Sequence, residues 1–249
     1  MNQYNWITPS NLLALLLLLF SSNSFSEAVI QVDNIPLFEA RYEVRMNGLV
    51  IAKASFSQKK IGERRYHYVQ KTKAKGLVSF FRRETVTEQT TWDLTETGIR
   101  PIEYDFRKLG GSDDEHKHIV FDWENLRAEN TGETEPWKID IETGTLDKLL
   151  VQVAMLLDIQ AGKTVFNYPI ADNGRLKHYQ FARISEEPVE VPGGLFQTTK
   201  LQRMDDDRDI TYIWTAPTLK YLPVRFLKIK KSGLKLEIRL KEIQMQNPA

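Results

Sequence analysis

From Leu37 onward, apolar and polar residues alternate along most of the chain. In the first such run Phe38, Ala40 and Tyr42 are separated by charged residues. Alternation with a period of two is typical of a strand with one buried and one solvated face. The sequence therefore predicts a protein built mainly of β-strands.

Turn-forming residues separate these alternating runs. Asn47-Gly48 is a strong hairpin signal because both positions of such a turn need a positive φ. Glu96-Thr97-Gly98 and Gly110-Gly111-Ser112-Asp113 mark further turns. The short, even spacing favours antiparallel strands over parallel βαβ units. Later predicted strands are 65–75, 84–94, 99–108, 115–123, 126–130, 164–170, 176–185, 197–204, 210–215, 224–230 and 234–243.

One segment has helical spacing instead. We predict a helix with Thr145 as its N-cap and Gly162 as its end. A second, single turn of helix is predicted between strands at Gly76 to Arg83. The apolar residues of the main helix are Leu146, Leu149, Leu150, Val153, Leu156 and Leu157.

These elements predict a mainly β fold: one large, curved antiparallel sheet, an open or half barrel, with the main helix packed on its concave side. A sheet of this many strands must curl. The helix can then bury its leucine stripe inside the curve. Any space left between helix and sheet would be an apolar cavity, which is the usual setting of a ligand site.

The amino terminus resembles an export signal. Asn11 to Phe20 is apolar, and roughly ten apolar residues are too few to cross a bilayer, which needs ~20. Ser24 and Ser26 are the small residues that signal cleavage requires, although no Lys or Arg precedes them. We therefore predict a signal peptide at 1–26, a single β-rich periplasmic domain at 27–249 of a Gram-negative cell, and no transmembrane segment in the mature chain.

Composition excludes several classes of function. The net charge of +1 gives no electrostatic case for nucleic acid as a partner. The absence of cysteine excludes disulfides, thiolate metal sites, a cysteine nucleophile and an amino-terminal lipid anchor on cysteine. No motif indicates a cofactor.

Two clusters could bind metal, but we favour solvated turns for both. His116 and His118 lie at strand spacing in Asp113 to His118, next to glycine-rich turn chemistry. Asp205 to Asp209 lacks the glycine and the distal glutamate of a calcium loop. No metal site is therefore predicted.

Two arginines directly follow two phenylalanines, at Phe80, Phe81, Arg82 and Arg83. One interpretation is a rim that binds an anionic or lipid headgroup, since guanidinium groups match phosphate and carboxylate. The other is a loop anchored by its phenylalanines, with arginines paired to acidic neighbours. Both interpretations stay open.

Five segments in this order resemble the exported bacterial family catalogued as domain of unknown function 3108. The resemblance covers roughly Phe38 to Leu240 and implies no catalytic residue, because the family has no established activity. The segments are Tyr42-Glu43-Val44 with Asn47-Gly48, Gly76 to Arg83, Gly98-Ile99-Arg100-Pro101, Phe121-Asp122-Trp123 and Tyr221-Leu222-Pro223-Val224-Arg225.

A looser resemblance concerns the carboxyl-terminal strands. Trp214 to Pro217, Leu222 to Phe226 and a hairpin at Gly233 are similar to the closing strands of periplasmic lipoprotein-carrier proteins. That resemblance implies an open β-barrel with a helical lid over a cavity for acyl chains, and it is an analogy of fold.

Three hypotheses of function follow. The first is non-enzymatic binding or carriage of a lipid or other apolar small molecule. The second is a structural protein that binds an envelope protein and has a filled core. The third is a carboxylate-based hydrolase of cell-envelope glycans, although no catalytic motif is present. The residues predicted to bind a ligand are Phe56, Phe80, Phe81, Arg82, Arg83, Tyr104, Phe106, Phe121, Leu149 and Val153.

Overall fold

The computed structural model describes residues 35–75, 84–111, 113–133, 135–206 and 208–246. Over these residues, fourteen strands form one antiparallel sheet in the order β8-β7-β6-β5-β4-β3-β2-β1-β14-β13-β12-β11-β10-β9. The predicted antiparallel connections are confirmed. The strands are β1 Leu37–Met46, β2 Leu49–Lys60, β3 Arg65–Ala74, β4 Thr85–Thr95, β5 Gly98–Leu109, β6 Glu115–Asp122, β7 Arg127–Asn130, β8 Trp137–Asp140, β9 Val165–Asp172, β10 Arg175–Val191, β11 Gly194–Arg203, β12 Ile210–Ala216, β13 Leu222–Ile229 and β14 Lys235–Gln246.

The sheet curls until it is nearly closed into a barrel. Its first and last strands pair in the middle, from Leu37 opposite Gln246 to Met46 opposite Leu236. The two edges, β8 and β9, approach each other. Gly174, in the turn after β9, is so close to the strand β8 that a Cβ there would lie 3.2 Å from Cγ of Trp137.

The segment between β8 and the helix covers the open edge of β9. Leu146 pairs in parallel with Ile170. Its N–H donates to the carbonyl of Pro169 at 2.8 Å, and its own carbonyl accepts from the N–H of Ala171 at 2.9 Å. Covering an edge in this way removes a row of backbone groups that could pair with another chain.

Helix α1 spans Val151–Gln160 and lies inside the curved sheet. Its buried residues are spread around its circumference, as expected of a helix enclosed by protein. Tyr68 of β3 donates to Gln152 Oε1 at 3.2 Å, and Tyr168 of β9 donates to Asp158 Oδ2 at 2.8 Å. Because these strands belong to opposite walls, the helix occupies the concave side, which confirms the predicted architecture.

The helix begins five residues later than the predicted leucine stripe, at Val151. The assignment of Thr145 as its N-cap is wrong: that hydroxyl donates to the carbonyl of Glu142 at 2.7 Å and accepts from the N–H of Glu142 at 3.1 Å. Pairing with β9 holds the preceding residues extended, so the turn at 148–150 begins only after Asp147.

The predicted end of the helix is confirmed, because Gly162 lies directly beyond the last turn with a φ of 79°. That value belongs to the left-handed region, which glycine adopts without steric cost. The predicted turn of helix at 76–83 lies outside the described residues.

Candidate functional site

A cavity of about 280 Å³ lies between helix α1 and the inner faces of β1–β3 and β10–β14. Its apolar wall includes Phe56 of β2, Met155 of the helix, Phe181 of β10 and Ile213 of β12. These four side chains are all buried. The three strand residues among them occupy inward positions of the alternating pattern. Because successive side chains of a strand point to opposite faces, these three point into the barrel.

Tyr42 fixes the side of the cavity formed by β1. Its ring meets the Phe56 ring edge-on, with 4.9 Å between centroids. Its hydroxyl donates to the carbonyl of Pro223 on β13 at 2.9 Å. This hydrogen bond occupies the only donor of the Tyr42 side chain, so this side of the cavity offers a ligand mainly dispersion contacts.

Lys148, Arg203 and Lys228 also line the cavity, and together they are called the cationic rim. Their side chains are 36%, 19% and 27% exposed, whereas the apolar wall is buried. A fourth cation, Arg225, lines the wall and pairs with Glu237 at 2.6 Å. No Asp or Glu belongs to the described lining of the cavity.

The cationic rim lies at one end of the barrel. Antiparallel strands alternate in direction, so the turns at 47–48, 173–174, 204–209 and 230–234 share that end. Arg203 is the last residue of β11, and Lys228 precedes the last residue of β13. The partly exposed rim is therefore the mouth of the cavity, and the apolar wall lies behind it.

Arg203 is held rigidly at the mouth. Its guanidinium lies over the Tyr179 ring, 3.8 Å from the centroid, and pairs with Asp205 at 2.6 Å. Burial raises the pKa of Asp205, but hydrogen bonds from Arg203 and from the N–H of Gln180 outweigh that effect and hold the pKa below its usual value. Asp205 is thus charged at neutral pH and committed to these donors.

Lys228 is held in a similar way. Its ammonium lies 3.0 Å from Asp209 and 3.9 Å from Asp206. The Lys228 ammonium, followed by the N–H of Lys231, lowers the pKa of Asp209. Ion pairs with the acidic loop between β11 and β12 therefore hold two rim cations, Arg203 and Lys228, in place. Asp207 of this loop lies outside the described residues.

The third rim residue, Lys148, lies in the turn before the helix. Its ammonium is 3.7 Å from Asp172 and lies over the rings of Tyr104 and Phe106, 5.9 and 5.5 Å from their centroids. At 3.7 Å the carboxylate lies beyond hydrogen-bond distance, so the three N–H donors of this ammonium make no hydrogen bond to a described residue.

Among the residues predicted to bind a ligand, Phe56 lies on the cavity wall. Tyr104 and Phe121 are buried in the core, and Phe106 is half-buried beside Lys148. Leu149 and Val153 are buried around the start of the helix. None of these five belongs to the described lining of the cavity. Phe80, Phe81, Arg82 and Arg83 lie outside the described residues.

Sequence reasoning missed the rim, although the alternating pattern contains a signal for it. Arg203 lies two residues after buried Leu201, and Lys228 two residues after Phe226. Both cations therefore fall on inward positions. A charge on the inward face of a strand is costly unless it is paired or meets a ligand, so such positions indicate a site.

A buried carboxylate lies near the turn that precedes the helix. Asp147 accepts hydrogen bonds from the N–H groups of Leu149 and Leu150, and from the hydroxyl of Thr90 on β4 at 2.8 Å. Burial raises the pKa of Asp147 to about 6, against the lowering effect of these hydrogen bonds. Asp147 does not line the described cavity, and its bonds join the turn to the wall.

The predicted histidine pair lies on the outer face of the barrel. His116 Nε2 is 2.9 Å from Asp105 Oδ2, and His118 Nδ1 is 3.6 Å from the same oxygen. Over the described residues, no group of three or more histidine and acidic side chains is arranged to hold a metal ion. Nor does the described part of the chain contain a helix long and apolar enough to cross a membrane.

Similar folds occur among solved structures. The β-barrel-like protein of the domain of unknown function DUF1849 from Brucella abortus is 10% identical, and the match covers 87% of this chain and 100% of that chain with a TM-score of 0.57. A Bacteroides fragilis protein with a YmcC-like fold is also 10% identical and matches 83% of this chain and 95% of its own, with a TM-score of 0.33. The first comparison supports the barrel-like fold.

None of the curated proteins matches the sequence. A family model does match, over residues 41–239, and its description is "Protein of unknown function (DUF3108)". The match runs from β1 to β14 and so includes every strand that lines the cavity. The chain therefore belongs to the DUF3108 family, as its sequence segments indicated.

Proposed function

We propose that this protein binds or carries a lipid or another apolar small molecule in the cavity beside helix α1. The observation that carries the proposal is the buried apolar wall at Phe56, Met155, Phe181 and Ile213 around space that no side chain fills. Unfilled apolar space forfeits dispersion contacts, so a ligand that fills it gains them.

The size of the cavity favours a slender ligand. Pockets for drug-sized ligands span ~300–1,000 Å³, and this one, at about 280 Å³, falls just below that range. A single alkyl chain fits such a space better than a lipid with several chains. The first half of the helix lines the cavity, at Val151, Gln152 and Met155.

The proposed compartment is the periplasm. The apolar run at Asn11 to Phe20, followed by small residues up to Ser26, is the support for export, and 27–249 is the proposed mature domain. A carrier in that compartment would shield an alkyl chain from water between the two membranes of the envelope.

Binding of the neutral fluorophore N-phenyl-1-naphthylamine, and its displacement by dodecanol, tests the proposal. Ile213→Trp fills the cavity, whereas Ile210→Trp adds the same ring at an exposed position of the same strand. We expect wild type and Ile210→Trp to bind alike, and Ile213→Trp to bind about tenfold more weakly or not at all.

Circular dichroism establishes that each variant is folded, and Met155→Trp provides a second way to fill the cavity. Native mass spectrometry of protein isolated from its own cells should show an added lipid mass. Equal fluorophore binding by the folded wild type and both cavity-filling variants would contradict the proposal, as would an absence of binding to the wild type.

A further inference from the structure

We propose that the ligand is an amphiphile with one alkyl chain and an anionic end group, a carboxylate or a phosphate, which the cationic rim binds at the mouth. This inference rests on the proposed function, because the same cavity holds the chain. It adds the chemistry of the head and the direction in which the ligand lies.

The composition of the cavity is the first argument. Buried apolar side chains form one part of its lining, while Lys148, Arg203 and Lys228 form the mouth without a lining carboxylate. Placing cations beside an apolar cavity costs desolvation free energy, and an entirely apolar ligand offers these cations no compensating interaction. A ligand with an anionic head group and an apolar chain does offer one, because its head can pair with the cations.

The bonding of the carboxylates behind the rim is the second argument. Asp205 Oδ1 accepts from the N–H of Gln180 and from Arg203 Nε, and its Oδ2 accepts from Arg203 Nη2. Asp209 accepts from the N–H of Lys231 and pairs with Lys228. Both acids are thus engaged by donors of the protein, and each is paired with a rim cation.

The rim cations, in contrast, retain free donors. Arg203 uses Nε and Nη2 on Asp205, and its Nη1 makes no hydrogen bond to any described residue. Lys228 has three N–H donors, of which the contact with Asp209 uses one. The paired acids therefore fix the positions of Arg203 and Lys228 and leave donors for an anion, with little loss of side-chain entropy when it binds.

The stacking of Arg203 on Tyr179 adds to this preorganisation. The guanidinium plane is fixed 3.8 Å from the ring centroid, at the last residue of β11. A planar guanidinium can bind a carboxylate or phosphate through two parallel hydrogen bonds. The head would thus lie among Arg203, Lys228 and Lys148, with the chain directed along the helix towards Met155.

Four probes with the same alkyl chain test the inference: dodecanoate, dodecyl phosphate, dodecanol and dodecyltrimethylammonium. Each competes with N-phenyl-1-naphthylamine below its micelle concentration at pH 8. We expect at least one anion to bind about tenfold more tightly than dodecanol, and the ammonium to bind most weakly. The two anions distinguish a carboxylate head from a phosphate head.

Arg203→Gln and Lys228→Gln should each reduce the preference for the anion over dodecanol, measured as the ratio of the two dissociation constants for the same variant. The matched controls are Arg65→Gln and Lys59→Gln, which remove exposed, ion-paired cations outside the cavity. Thermal unfolding establishes that each variant is folded, and the two rim variants test the rim separately.

The outcomes separate the inference from the function on which it rests. If dodecanol and both anions bind equally to the wild type, or if the rim variants keep the full preference, the anionic head is wrong and the apolar carrier stands. If none of the four probes binds to the folded wild type, the carrier function itself is wrong.

Discussion

The hydroxyl of Thr90 donates to the buried carboxylate of Asp147 at 2.8 Å, and this bond joins the wall of the barrel to the turn before the helix. The same hydroxyl lies 3.1 Å from the carbonyl of Glu103 on the next strand. The other oxygen of Asp147 accepts two backbone N–H groups of the turn, from Leu149 and Leu150. One buried side chain therefore sets where the helix can begin relative to β4.

The buried Asp147 makes stability depend on pH. Its pKa of about 6 in the folded protein lies above the value of 3.8 for an ordinary Asp. The folded state therefore holds the proton more tightly, and stability falls as pH rises from about 4 to about 6. The protonated carboxyl of Asp147 contributes its full stabilisation to the free energy of unfolding below that pH window, and none of it above the window. The change is on the order of 2–3 kcal/mol.

Asp147→Asn should remove this dependence, since an amide can keep the bonds to the turn and to Thr90 without a charge. Urea unfolding at pH 4, 5, 6 and 7 should show the variant gaining stability relative to the wild type as pH rises. Asp140→Asn is the control, because that carboxylate is 91% exposed. If the difference in free energy of unfolding between Asp147→Asn and wild type is the same at all four pH values, the Asp147 carboxyl does not titrate in this window.

The bond between Tyr168 and Asp158 ties the helix to β9. Tyr168→Phe removes the donor and keeps the buried ring, so we expect a loss of about 1–2 kcal/mol in the free energy of unfolding. Tyr212→Phe is the control, because the Tyr212 hydroxyl makes no hydrogen bond to a described residue. Equal stability of both variants and wild type would mean that this bond contributes nothing.

Gly132 is required by the close approach of two backbones. A Cβ there would lie 2.6 Å from the N atom of His118 and 2.8 Å from the carbonyl oxygen of His116. Because these atoms belong to the backbone of β6, Gly132→Ala must displace a strand, and we expect it to cost about 2 kcal/mol or more. Chemical denaturation measures the effect.

The control for that variant is Gly144→Ala. Gly144 has a φ of 84° and no atom within 4 Å of its Cβ position, so alanine there adds only backbone strain, about 1 kcal/mol. If Gly144→Ala is as destabilising as Gly132→Ala, the close approach to β6 is not the reason for glycine at 132.

Trp137 of β8 lies against the turn at Gly174, where the two edges of the sheet approach each other. Trp137→Ala should raise the hydrogen-exchange rates of backbone amides in β8, since a four-residue edge strand has few other contacts. Lys138→Ala, on the opposite face of the same strand, is the control and should leave those rates unchanged. Unchanged rates in Trp137→Ala would place the closing contact elsewhere.

Local patterns predicted most elements, whereas the late start of the helix has a non-local cause. Leu146 fits the helical spacing but pairs with Ile170, which is distant in sequence. The four-residue strand β8 was not predicted, and it forms a hairpin with the neighbouring strand β7. At Leu146, the contact with a remote strand decides the local conformation.

The site was less accessible to sequence reasoning than the fold. Tyr104, Phe121 and Phe56 all occupy inward positions of the alternating pattern, so the pattern does not distinguish a cavity-lining residue from a core residue. Only Phe56 lies on the cavity, because the helix and its preceding turn fill the half of the barrel near Tyr104 and leave space near β2. Which aromatic residues can meet a ligand is a property of how the helix divides the interior.

The sequence by itself determined the mainly β architecture, the antiparallel order of neighbours and the single α-helix of the described chain, since these follow from periods of two and 3.6 residues and from turn chemistry. Only the tertiary structure decided that Arg203 and Lys228 meet Lys148 at one mouth. They come together because the sheet curls around the helix and brings the turn before it to the ends of β11 and β13, and no local pattern of the sequence encodes that curvature.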